Sequence, residues 1–405
     1  MRRSNLFIPT TKEADSSADV VSAELAIRSG LVRQLGSGVY NFTPVGKRVF
    51  DKISEVTREE MRKRGAQEVK LPYLQYSDIW RKSGRYENFE GEMFTFENRD
   101  GQEMCLAPTH EEAMADLVRE TVRSTNELPL NIFQIGRKYR DDHARNGLLR
   151  TKEFTMKDAY SFHASEESLD ESYRNMRDAY ISIFERLGVE FSIVSADTGV
   201  MGGSGSEEFQ APAEVGSDEI NYCTEDDCRF GTKDLEVRTC QECGSDLVNG
   251  NAIEIGHIFK LGTRYSEPLD LTFDTETSQE NVIMGSYGLG VTRLIPTLIE
   301  QNYDDGMVWP EAVAPFKYGI VPVRYTGEVK EMADRIEESL DDAILFDHDV
   351  TGGEKFAEAD LMGVPYKVVL GNTYTEEGQI EVEDGDGEKT FYDPEEFLSN
   401  PPGAA

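Results

Sequence analysis

The feature that most constrains this chain is a pair of alternating segments flanking a cationic turn. Residues 131–135 (NIFQI) and 154–160 (FTMKDAY) each carry the period of two of a pleated strand. The basic, glycine-containing connector 140–150 is short enough to join them as an antiparallel pair. Around them the spacing predicts a helix over 44–64, entered at Pro44 and stopped by Gly65, then a short strand over 66–72. A second helix is expected over 109–122, with Thr109 as its N-cap and Glu112 at the third position. An amphipathic helix over 166–188 and a strand over 189–195 follow. From 315 the pattern becomes strand–helix alternation: apolar runs at 318–323, 343–346 and 366–370, with helices over 327–340 and 355–362. The chain therefore reads as α+β, an antiparallel sheet flanked by helices followed by a small α/β domain over 315–400.

Charge sets the next constraint. Lys and Arg number 42 against 77 Asp and Glu, a net charge of −35. Aromatic and aliphatic residues run the whole length, which argues against disorder. Two readings stay open: a generally acidic surface suited to high salt, which we favour, or a specific cationic partner. No run of 18 apolar residues occurs, so no membrane helix is expected. Met1 to Pro9 contains two arginines without an apolar core behind them, so a cytoplasmic protein is expected. Five cysteines are too few for a disulfide scaffold.

Two constellations carry chemistry. The first is the connector, with Arg140, Arg145, Arg150 and Lys152 concentrated in an acidic chain. Arginine forks grip phosphate oxygens and stay charged when desolvated; the alternative is a solvated hairpin tip. The strand after it puts Phe154, Met156, Asp158 and Tyr160 on one face, either core with a buried acid or a small pocket for an amine. Thr109 and Glu111 add a second acid at a helix start. The second constellation is Gly285-Ser286-Tyr287-Gly288-Leu289-Gly290, whose glycines run opposite to a dinucleotide fingerprint. They read as ending a strand over 281–284 and opening a helix with Arg293, for an anionic ligand or for close packing. A phosphate-binding P-loop is absent.

Taken in order, these motifs resemble prolyl-tRNA synthetases of the bacterial type, a class IIa aminoacyl-tRNA synthetase family. Gly65 to Pro72 resembles class II motif 1, Tyr139 to Phe154 motif 2, and Gly288 to Arg293 motif 3. Pro108 to Glu112, Lys157 to His163, Ala196 to Gly199 and Gly256 to Phe259 add family-specific segments. The resemblance implies a catalytic domain over 1–215 and 251–312, and an anticodon-binding-type domain over 315–400. It implies that Arg140 bridges the ATP α-phosphate and the substrate carboxylate, that Arg293 holds the far end of ATP, and that Phe154 stacks on adenine. Asp142 stands at the motif 2 acid, where Glu is usual. Thr109 and Glu111 take the imino group of L-proline, Met156, Asp158 and Tyr160 wall its ring, and Gly285 and Ser286 close the pocket. ATP with Mg²⁺, tRNA(Pro) and a homodimer built through the segment from helix 44–64 to Pro72 are implied as well.

Several departures accompany the likeness. Ser286 stands where bacterial enzymes have Cys, and Glu207 where they have His. The motif 2 loop is one residue shorter, and 347–353 replaces a basic run of the C-terminal domain. In place of the large editing insertion stand Cys223, Cys228, Cys240 and Cys243 within 216–250, two pairs eleven residues apart. That spacing favours a structural zinc ribbon over free thiols or a disulfide. Cys105 reads as core. The leading function is ATP-dependent proline–tRNA ligation. The alternatives are a paralogue that adenylates proline or a similar small amino acid for another acceptor, and a non-catalytic tRNA-binding or amino-acid-sensing protein.

Overall fold

The computed structural model describes all residues except 14–17, 88, 90–91, 197–198, 304–305 and 404–405, and every statement below concerns the described ones. Asp197 and Thr198 of the segment at 196–199 therefore lie outside them. The chain divides into two units: Met1–Leu35, Tyr40–Lys52 and Leu298–Ala405 form one, Gly36–Val39 and Ile53–Thr297 the other.

The larger unit is built on a nine-stranded sheet. In chain order its strands are β1 (Gln67–Glu68), β2 (Leu130–Tyr139), β3 (Glu153–His163), β4 (Ser192–Ala196) and β5 (Gly205–Pro212), then β6 (Asp218–Tyr222), β7 (Phe230–Thr232), β8 (Val248–Gly262) and β9 (Ile283–Leu289). Across the sheet they run β5-β4-β7-β6-β8-β9-β3-β2-β1, and β5 also pairs with β8. The β2–β3 hairpin forms as the alternation predicts, antiparallel, with Gln134 opposite Asp158 and Lys138 opposite Phe154. Both strands from the 216–250 segment, β6 and β7, are members of this sheet. Helix Glu166–Leu187 lays Leu169, Tyr173, Met176, Tyr180, Ile183 and Phe184 inward and ends at Gly188 in the left-handed region.

Two local expectations are corrected. Thr109 is not an N-cap: the helix spans Glu111–Arg119, and the Thr109 hydroxyl donates to Glu111 Oε2 at 2.6 Å instead of accepting from the backbone. The glycine run does not end a strand; β9 passes through Gly285 and Gly288, and the next helix, Val291–Gln301, starts after Gly290. Close packing explains Gly285, where a Cβ would sit 2.3 Å from the Tyr287 hydroxyl.

In the smaller unit, strands Ala343–Leu345, Tyr318–Pro322 and Tyr366–Leu370 pair in parallel, and Ile380–Glu383 and Lys389–Tyr392 extend the sheet antiparallel. Helix Gly327–Ser339 packs Ala333 and Ile336 against Ile320, Leu345, Val368 and Leu370. Helix Gly352–Met362 opens with a full capping box between Thr351 and Glu354. The α+β expectation, with an α/β C-terminal part, agrees with both sheets.

Candidate functional site

A cavity of about 560 Å³ opens over the face of β3 and β9 in the larger unit. The hairpin delivers Arg140 and Asp142 from its connector and Phe154, Met156, Asp158 and Tyr160 from β3. Thr109 and Glu111 come from the start of helix Glu111–Arg119, Ser286 from β9, and Arg293 from the helix after it. Gly285 is not brought to this wall: the period of two turns it to the opposite face, against Tyr287 and Ser161.

One end of the cavity is a dense buried polar network. Glu111 Oε1 accepts from the Ser286 hydroxyl at 3.1 Å and the Tyr160 hydroxyl at 3.4 Å. Its Oε2 accepts from Thr109 and from Arg85 at 3.1 Å. Asp158 is paired with Lys138 at 2.6 Å and accepts from Gln134 and from the Tyr160 hydroxyl, each at 3.1 Å. Although burial opposes it, Lys138 and His110 hold Asp158 below the usual carboxylate range. Burial, with the Lys138 charge, pushes His110 down to about 4, so it is neutral near pH 7.

The other end is cationic. Arg140 lies 5.3 Å over the Phe154 ring and donates to the Pro108 carbonyl. Arg293 donates to the carbonyls of Leu149 and Glu254. Neither forms an ion pair with a carboxylate among the described residues. Burial lowers both from the ordinary arginine value, and the proximity of the two charges lowers Arg140 further. Asp142 is committed to Arg150, which lowers it in spite of its burial. Two desolvated guanidiniums with no carboxylate in ion-pair contact among the described residues form a receptor for an anion.

Arg85, Glu112, Lys138 and Ser286's bond to Glu111 were not visible in the spacing. Lys138 had a signal, since it shares the face of Gln134 by the period of two, and a hairpin register puts that face beside Asp158. Arg85 sits in an aperiodic segment and had none.

The four cysteines converge. Cys223 and Cys243 sulfurs lie 3.5 Å apart, as do those of Cys228 and Cys240, and all four fall within 4.8 Å of one another. Tetrahedral thiolates at about 2.3 Å from a zinc ion are about 3.8 Å apart, so this donor set fits one metal ion.

The family model "tRNA synthetase class II core domain (G, H, P, S and T)" matches residues 94–302, and the "Anticodon binding domain" model matches 314–398. The chain is a class II aminoacyl-tRNA synthetase. It is 39% identical to the proline–tRNA ligase of Anaplasma marginale, over 94% of this chain and 95% of that one. With the proline–tRNA ligase of Halothermothrix orenii it shares 33% identity, again over 94% and 95% of the two chains. The chain belongs to the proline–tRNA ligase family. The Halothermothrix alignment covers 539 positions, 134 more than this chain has residues, so a large insertion there is missing here. The fold matches prolyl-tRNA synthetase of Cryptosporidium parvum complexed with halofuginone and AMPPNP, at a TM-score of 0.78 and 20% identity over 96% of this chain and 76% of that one.

Proposed function

We propose that the protein activates L-proline with ATP and transfers it to tRNA(Pro). The observation that carries the reading is the split cavity: a carboxylate-rich end suited to an amine, and a cationic end suited to carboxylate and phosphate. Glu111 and Thr109 receive the imino group, and Met156, Tyr160 and the buried Asp158 wall the ring. Ser286 orients Glu111 through its hydroxyl. Arg140 holds the substrate carboxylate against the α-phosphate, stabilising the charge that develops as the bond breaks, while Arg293 fixes the distal phosphates. Phe154 offers a face for the adenine, and Asp142 steadies the connector through Arg150. ATP held by Arg140 and Arg293 would supply pyrophosphate as the leaving group, and Mg²⁺ bound with it would supply positive charge against the negative charge that develops.

The catalytic part spans 1–215 and 251–312, and 315–400 reads the tRNA. In the 216–250 segment Cys223, Cys228, Cys240 and Cys243 would hold one zinc ion, whose role there would be structural. Elemental analysis of protein purified without chelator should find one zinc per chain; none would refute the site. The protein works as a cytoplasmic homodimer, and its acidic surface suits high salt. No helix of the described residues is long and apolar enough to cross a membrane. Pyrophosphate exchange with each amino acid, then charging of tRNA(Pro) in high potassium chloride, tests the assignment. Exchange that prefers another amino acid would overturn it.

A further inference from the structure

Arg85 is 2% exposed, and Glu111 and Glu112 beside it are 2% and 0% exposed. Its guanidinium donates to Glu111 Oε2 at 3.1 Å and to both oxygens of Glu112, at 3.2 and 3.3 Å. Three rings enclose it, those of Trp80, Phe89 and Tyr265, each with its centroid 5.2–5.3 Å away. Water is therefore excluded from the pair, and the charges must be balanced locally. Three carboxylates at this end, Glu111, Glu112 and Asp158, face two buried cations, Arg85 and Lys138. Lys138 is taken by Asp158. His110 is neutral, the Tyr160 and Tyr265 hydroxyls are held protonated by burial, and Arg264 is exposed. Arg85 therefore serves two carboxylates at once, and burial with the Glu111 charge raises Glu112 above the ordinary carboxylate value while Arg85 opposes that shift.

We propose that Arg85 and Glu112 act as a positioning pair for amine binding: Glu112 draws part of the Arg85 charge, so Glu111 stays anchored through Oε2 with charge left for a cationic secondary amine. This rests on reading the cavity as the proline site. Arg85 lines the cavity beside Glu111, and its proposed role is to fix where the Glu111 charge points and how much of it remains. Ser83 completes the arrangement by donating its hydroxyl to Glu112 at 2.7 Å.

The test uses the full-length protein and steady-state pyrophosphate exchange. In Glu112→Gln the amide still accepts from Ser83, but Arg85 turns its whole charge on Glu111. The proline KM should rise by about 10-fold, the scale of a weakened hydrogen bond to a charge. kcat and the ATP KM should stay within about twofold, the pattern of lost uniform binding. Arg85→Met alone would bury two unpaired carboxylates, so it is not informative by itself. The double variant Arg85→Met/Glu112→Gln removes one charge of each sign, and its proline KM should return to within about threefold of the unmodified protein. An unchanged proline KM in Glu112→Gln would overturn the proposal. So would a double variant no better than that single one, because residues that merely support the fold do not rescue each other's KM. Failure of the underlying reading is separate: the unmodified protein would then show no proline-dependent exchange.

Discussion

The two ends of the cavity handle buried charge in opposite ways. At the amine end each carboxylate is met by several donors: Lys138, Gln134 and Tyr160 for Asp158, and Thr109, Arg85, Ser286 and Tyr160 for Glu111. At the phosphate end Arg140 and Arg293 have backbone carbonyls for partners and no carboxylate. Carboxylates held by several donors set a fixed geometry, whereas cations without an ion-pair partner weaken the free protein and strengthen the complex with an anion. Removing a cation should therefore have different consequences at the two ends.

The largest effect is expected at the phosphate end. Arg140→Ala and Arg293→Ala should each lower adenylate formation by about 10³-fold, since one transition-state donor is worth 10²–10³-fold and each fork supplies more than one. Their unfolding free energies should be equal to or above that of the unmodified protein, because a desolvated cation has been removed. Near-normal pyrophosphate exchange in either variant would break the comparison. At the amine end Lys138→Met should do the reverse, costing about 3–5 kcal/mol of stability by leaving Asp158 buried without its partner. Urea unfolding measures this, and a loss below about 1 kcal/mol would mean that the pair is not needed by the fold.

A pH-dependent effect belongs to two buried histidines, His110 beside Asp158 and His163, which bonds the Ser168 hydroxyl. Burial holds both His110 and His163 at about 4, below the ordinary 6.5. The folded state thus resists protonation that the unfolded chain accepts, so stability is present above about pH 6.5 and falls as pH drops toward 4. Each histidine should account for roughly 3 kcal/mol over that window. His163→Gln should remove about half of the slope in stability against pH between 6.5 and 4. An unaltered slope would place the acid sensitivity elsewhere.

How much of this was legible follows from where periodicity exists. The β2–β3 hairpin could be read because both strands alternate, and the residues it delivers, from Arg140 to Tyr160, reach one cavity. The glycine run was misread because glycine spacing does not distinguish a turn from a strand whose neighbours approach closely, as Tyr287 approaches Gly285. Thr109 had the sequence signature of a cap, but a buried carboxylate two residues on competed for its hydroxyl. The charge balance at Glu111 depends on Arg85, which is distant in sequence and lies in no regular element, so only the tertiary structure brings it in. Four cysteines in two pairs were visible as a donor set, and their convergence matches the spacing.

The weakest contrast between the ends concerns which amino acids the amine end admits. Its polar contacts recognise a charged amine, which every amino acid possesses, so discrimination falls to Met156, Tyr160 and the ring space beside them. Loss of a methylene weakens binding by only about 1–3 kcal/mol, roughly 10- to 200-fold, and alanine lacks two of proline's carbons, so volume alone gives roughly 10²- to 10⁴-fold. Alanine, smaller than proline, should therefore be activated at a measurable rate, and cysteine, close to proline in volume, at a higher one. Ser286 changes the wall little in size, and its hydroxyl is committed to Glu111, so proline should remain preferred. The chain lacks a large insertion that the Halothermothrix relative carries. Mischarged Ala-tRNA(Pro) should then persist in the presence of the enzyme. The measurement is kcat/KM for proline, alanine and cysteine, followed by the decay of Ala-tRNA(Pro) with and without protein. Rapid deacylation by the protein itself would reveal a hydrolytic site within these 405 residues. A proline preference well above roughly 10⁴-fold over alanine would show that the charge geometry at Glu111, and not ring volume alone, selects the secondary amine.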